Sequence, residues 1–162
     1  MTGMSTMTRP VVFGLVLGTL LGGWILVSTV VAPLAEDTPV IVATMFGVVF
    51  LALAVPGFAV RRRGGHVVDA LEAGAIAGTI TFALFLLLGI LRVNLFLDII
   101  RNRSDWENLV ADYARSDFQS LRAYANYVYA KQIVVFPIVG VVAGAISGSL
   151  GGLLASVVRP SS

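Results

Sequence analysis

The chain contains no cysteine. Disulfides, thiolate nucleophiles, iron–sulfur ligation and covalent haem attachment are therefore excluded, and the redox compartment leaves no trace in the composition. Histidine is almost as scarce. The only one, His66, falls between apolar runs rather than within one, whereas haem held between helices needs strong axial ligands on those helices. Charge is thin as well: 12% of the 162 residues are Asp, Glu, Lys or Arg, about half the share in a soluble domain. No glycine-rich loop ends in Lys-Ser or Lys-Thr, so a phosphate-binding loop of that type is excluded. The net charge is only +2 and the basic residues are dispersed except at Arg61, Arg62 and Arg63, which gives no basis for nucleic-acid binding.

The few charges leave four long gaps, 10–35, 38–60, 73–91 and 132–158. A helix rises about 1.5 Å per residue and the hydrocarbon core is about 30 Å thick, so roughly 20 apolar residues cross it. A soluble helix of that length carries a charged stripe on its outer face, and these runs carry none. The expected fold is an all-α membrane protein with four transmembrane helices, at about 10–33, 39–60, 68–97 and 132–158, forming one domain over 10–159. The first run exceeds the 7–15 residues of a signal-peptide core and has only Arg9 before it. Pro33 also sits where a cleavage site ending at Ala35 needs a small residue, so a retained helix is expected. The tail 1–9 reads as disordered.

Four spans put both termini on one side of the membrane. The short second connection concentrates Arg61 to Arg63, and the first carries Glu36 and Asp37 with no basic residue. Positive charge near span ends favours the cytoplasmic side, so both termini are expected in the cytoplasm. The count in the third connection runs the other way, with Arg92, Arg101, Arg103, Arg115, Arg122 and Lys131. These six are spread among five acids, which weakens their pull. Ten arginines against one lysine point to a GC-rich genome and no further, and the glycine-rich style is that of prokaryotic membrane proteins, so a prokaryotic plasma membrane is expected.

The third connection has order of its own. Ser104 with Glu107, and Ser116 with Gln119, have the spacing of capping boxes. Trp106, Leu109, Val110 and Tyr113 recur at helical spacing, as do Phe118, Leu121, Ala125 and Val128. A short amphipathic helical pair over about 104–130, between helices 3 and 4, is the reading. It shields helix ends or docks another protein, with Trp106, Tyr113, Tyr124 and Tyr127 as interfacial residues.

The strongest motif is a glycine track. Gly140, Gly144, Gly148 and Gly152 recur every fourth residue, Gly14, Gly18 and Gly22 repeat the spacing in the first run, and Gly74 and Gly78, extended by Ala70, repeat it in the third. Four residues turn a helix about 400°, so each set forms a smooth groove of the glycine-zipper type. In lipid such grooves let backbones approach closely, which is where helix attraction comes from. The partner is a helix of the same chain, a second copy, or a different subunit. Thr19, Thr44, Thr79, Thr81, Ser147 and Ser149 either line a pore beside these tracks or bond to carbonyls of their own helices.

His66, Asp69 and Glu72 form a weak polar-site candidate. A His/Asp/Glu set can hold a divalent metal, but carboxylates in a first helical turn complement its dipole and Arg61 to Arg63 are near enough in sequence to pair with them. Arg92, with Asn94 and Asp98, suits an anchor at the far end of the third run. Pro56 and Pro137 are expected to kink their helices. Three of the four runs hold no ionisable residue, and those of the third lie near its ends, which disfavours ion-coupled transport. No catalytic, cofactor or metal residue is assigned. The leading expectation is a non-catalytic accessory subunit or scaffold in the lipid bilayer, as a homo-oligomer or with a membrane-protein partner. A passive channel or facilitator formed by an oligomer is the second.

Overall fold

The computed structural model describes residues 8–31 and 38–158. Residues 1–7 of the tail, the acidic first connection with Glu36 and Asp37, and Arg159 lie outside the described residues, while Thr8 and Arg9 of the expected tail begin α1. All regular structure among the described residues is helical. The helices are α1 (Thr8–Val31), α2 (Pro39–Ala52), α3 (Ala54–Arg62), α4 (Val67–Ile100), α5 (Glu107–Ala114), α6 (Leu121–Lys131) and α7 (Val135–Val157), with a 3₁₀ turn at Ser104–Trp106 before α5.

Three stretches of the described residues are long and apolar enough to cross a membrane: Pro39–Arg62, Val67–Ile100 and Val135–Val157. The apolar section scored within α1, Pro10–Ile25, falls short of that length. Residue size is distributed inside out relative to a soluble protein. Val12, Leu20, Val40, Leu51, Leu95 and Val157 are exposed, while Gly14, Gly18, Ala70, Ala73, Gly74 and Gly144 are buried. Water would not tolerate so continuous an apolar exterior; lipid does.

The first of the three stretches is interrupted at Leu53. Thr38 caps its start by accepting a 3.4 Å bond from the Ile41 amide, and Pro39 occupies the first helical position, where its missing N–H costs nothing. Pro56 has no amide hydrogen to give the Ala52 carbonyl and crowds it, and the break separating α2 from α3 falls just there. Pro137 behaves differently from expectation. The chain turns at 132–134 and α7 begins at Val135, so Pro137 sits in a first turn, where proline is tolerated, and does not kink the span.

α4 is the central element. Its 34 residues extend about 51 Å at 1.5 Å per residue, roughly 20 Å more than a hydrocarbon core. One core surrounds its middle and gathers Ile25, Val49, Leu53, Ala77, Phe82 and Leu88. A second surrounds its C-terminal end, where Val93, Leu97 and Ile100 pack with Trp106 and Ala125. The 3₁₀ turn, α5 and α6 thus form a cap on the C-terminal end of α4.

The helix starts within the cap differ from those expected. Residues 104–106 wind as a 3₁₀ turn, and α5 begins at Glu107 with Trp106 at its N-cap, which makes no side-chain cap bond. Ser116 makes a local turn, with its hydroxyl donating to the Tyr113 carbonyl at 2.7 Å. The cap of α6 is Ser120, which accepts a 3.2 Å bond from the Ala123 amide.

Candidate functional site

The three glycine sets meet other backbones of this chain. A methyl group added at Gly14 would lie 2.7 Å from the Ala73 carbonyl oxygen, and one at Gly18 would lie 2.9 Å from that of Ala77. Gly22 is closed off by the Leu84 side chain. These pairs advance together in sequence, so α1 and α4 run parallel along this seam.

On another face α4 meets α7 running the opposite way. Gly78 lies against Gly140, Gly74 against Gly144, and Ala70 and Gly74 against Gly148. A carbon added at Gly140 would fall 2.5 Å from the Gly78 carbonyl oxygen, and one at Gly152 would fall 2.8 Å from the Ala70 Cβ. The opposing atoms are mostly backbone, which no rotamer change can move. A third seam joins α3 to α7, where Gly57 meets the Gly148 carbonyl and Gly151 meets that of Ala54. Gly57 and Gly151 carry this seam and are not among the sequence-derived packing residues. Their signal was present as Ala54-x-x-Gly57 and as Gly148, Gly151 and Gly152, close relatives of the four-residue track. Gly89 is a further omission: it accommodates the Tyr129 ring and ties α4 to α6.

Two of the hydroxyls beside the seams are occupied within their own helix. Thr79 donates to the Ala75 carbonyl and Thr81 to the Ala77 carbonyl, both at 2.8 Å, within their own helix. Ser147 is fully buried and its Oγ has no hydrogen-bond partner; nothing in the surrounding packing explains it.

His66, Asp69 and Glu72 are brought to the start of α4. There the Asp69 carboxylate accepts a 2.6 Å bond from the His66 amide, while the His66 side chain accepts from the Asp69 amide. Both side chains are thereby engaged in a reciprocal cap that satisfies free amides of the first turn, and Glu72 is exposed. No three of His, Cys, Asp and Glu are grouped to hold a metal among the described residues. The expected pairing with the arginine run is not seen there either. Arg61 instead donates to the Gly65 carbonyl at 2.9 Å, Arg62 lies over the Phe58 ring at 5.4 Å, and Arg63 lies over Phe13 of α1 at 4.7 Å. The chain reverses here through Gly64, whose φ of 89° suits glycine.

In the cap, Trp106 is buried within the second core. Tyr113 packs against Tyr124 with 6.1 Å between rings, Phe118 lies between Tyr124 and Tyr127, and Lys131 sits over Tyr127 at 4.2 Å. Asn94 and Asn126 exchange side-chain hydrogen bonds of 3.0 and 3.2 Å, which fixes α6 to α4. Arg103 and Asp105 form a two-pronged pair of 2.9 and 2.8 Å with little exposure. This pair had no signature in the sequence beyond two opposite charges in one loop. No protein-family model, curated protein or solved structure matches the chain.

Proposed function

We propose that the chain is a four-span membrane protein serving as a non-catalytic scaffold or accessory subunit, with α1 as the first span and α5 and α6 as an amphipathic cap. The observation behind this reading is the closure of the glycine seams within one chain. Backbone contacts fill the space between α1, α3, α4 and α7, where a catalytic cleft or a solute path would otherwise lie. The glycine-mediated packing builds the subunit, and the surface left for a partner is the outer face of α2 together with the cap. α2 is exposed over most of its length, and Gly47 on it has open space around it. Both termini are assigned to the cytoplasm, with Arg61 to Arg63 on that side, in a prokaryotic plasma membrane. A channel is less well supported, because Thr79 and Thr81 are bonded within their own helix; its walls would have to form between copies.

Native mass spectrometry of the protein extracted gently from its own membranes tests this. The expected result is a complex of fixed stoichiometry with another membrane protein. A Gly47→Trp variant, whose added Cβ has no atom of the chain within 4 Å, should release that partner and leave the fold intact. A homo-oligomer without any partner, conducting a solute in proteoliposomes, would overturn the scaffold reading.

A further inference from the structure

The cap distributes its charge unevenly, and that unevenness defines a site. Five acids and six basic residues lie between Arg92 and Lys131. Arg103 has Asp105 at 2.8 Å and Arg115 has Asp112 at 2.8 Å. Arg101 has only Asp98 at 3.8 Å, an acid 81% exposed, and Arg122 has no acid within ion-pair distance among the described residues. These two less-paired arginines, 21 positions apart in sequence, line one cleft of about 560 Å³ between the end of α4 and the start of α6. Asn102, Tyr113 and Gln119 join them on its walls, and no carboxylate does. Ser120 also lines it, but its hydroxyl is occupied in capping α6.

Two arginines lining one cleft whose walls carry no carboxylate favour an oxyanion. The planar fork of arginine matches the oxygens of a phosphate group, two bonds at a time. The side-chain amides and the tyrosine hydroxyl can donate to its remaining oxygens. We propose that this cleft binds a phosphate group, held between Arg101 and Arg122. Because the arginines come from two elements, a bound phosphate would bridge them and tighten the cap against α4. The phosphate belongs either to a lipid headgroup or to a free solute, and the cleft chemistry is the same for both.

The test uses the full chain in nanodiscs of phosphatidylcholine. One arm adds inorganic phosphate or pyrophosphate and follows binding by phosphorus NMR; the other replaces part of the lipid with phosphatidylglycerol and counts retained lipids by native mass spectrometry. Binding in the lipid arm alone identifies a headgroup site, and binding in the solute arm identifies a free phosphate site. An Arg101→Gln, Arg122→Gln variant should weaken whichever binding is seen by at least about ten-fold, since each charged hydrogen bond is among the stronger ones. Hydrogen exchange in α6 should slow on binding in the wild type alone. An Arg61→Gln, Arg62→Gln, Arg63→Gln variant controls for general basicity and should bind as the wild type does. No binding in either arm, or binding that survives the cleft variant and is lost in the control, would overturn the proposal.

Discussion

Leucine at both Gly144 and Gly148 should prevent the chain from holding its native helix packing. At Gly144 the new Cβ falls onto the Gly74 carbonyl, and at Gly148 it falls 2.5 Å from the Ala70 carbonyl oxygen and 2.8 Å from the Gly74 Cα. All three are backbone atoms of α4, so relief requires the helices to separate. Separation removes the neighbouring Gly78–Gly140 approach and disturbs the Gly57–Gly148 seam with α3 as well. Overpacking one site in a soluble core costs about 1–3 kcal/mol, and two adjacent sites against rigid backbone should exceed ~3 kcal/mol on the same scale. Unfolding in mixed detergent micelles, followed by circular dichroism, measures it. Leucine at Gly23 or Gly47 supplies the contrast: neither position has an atom within 4 Å of an added Cβ, so both variants should unfold with the wild type. Equal behaviour of all three variants would mean that the seams do not hold the protein together.

The second large effect is expected in the cap, from Asp105→Ala. Arg103 is 7% exposed and Asp105 14%, and they meet through two parallel hydrogen bonds. Removing Asp105 strips the little-exposed Arg103 guanidinium of both parallel bonds, and breaking a buried pair in this way costs about 3–5 kcal/mol in comparable cases. Trp106 is adjacent to Asp105 in sequence and buried in the second core, so its fluorescence reports the change. Only one other tryptophan, Trp24, is present, and a Trp24→Phe background isolates the signal. The emission of Trp106 should shift to the red at lower denaturant than in the parent, and proteases should cut within 101–120. The helices outside the cap should keep their circular dichroism. An unshifted Trp106 transition would show that the ion pair contributes little to the cap.

The sequence made the helical, membrane-spanning character plain because lipid imposes a rule that composition cannot disguise: a spanning helix must exclude charge for about 20 residues. The break at Pro56 was legible for the same direct reason, a missing amide hydrogen. Pro137 was not, because the consequence of a proline depends on where its helix begins, and a turn at 132–134 reset that point. Ser104 and Ser116 had the right spacing for caps, yet Ser120 caps α6, since several serines competed and tertiary contacts chose among them. Trp106 illustrates a related limit. Its amphipathic ring suits an interface or a core equally, and only the packing at the C-terminal end of α4 decides for the core. The glycine tracks declared which faces are smooth but not what lies against them; the partner of Gly148 includes Gly57, 91 positions away in sequence. The charge imbalance around Arg101 and Arg122 was hidden because it depends on which acids other arginines had already taken.

α4 and α7 of one chain are packed backbone to backbone along their small residues. The absence of native cysteine permits a direct test with the Ala70→Cys, Gly152→Cys double variant. A Cβ at position 152 lies 2.8 Å from that of Ala70, within about 1 Å of the 3.5–4.5 Å that a disulfide spans. Oxidation in native membranes, followed by denaturing electrophoresis and mass spectrometry of the digest, reads the result. A disulfide within a single chain is expected, formed nearly to completion at monomer mass. A disulfide formed only between chains, or two thiols left free while the protein remains folded, would contradict it.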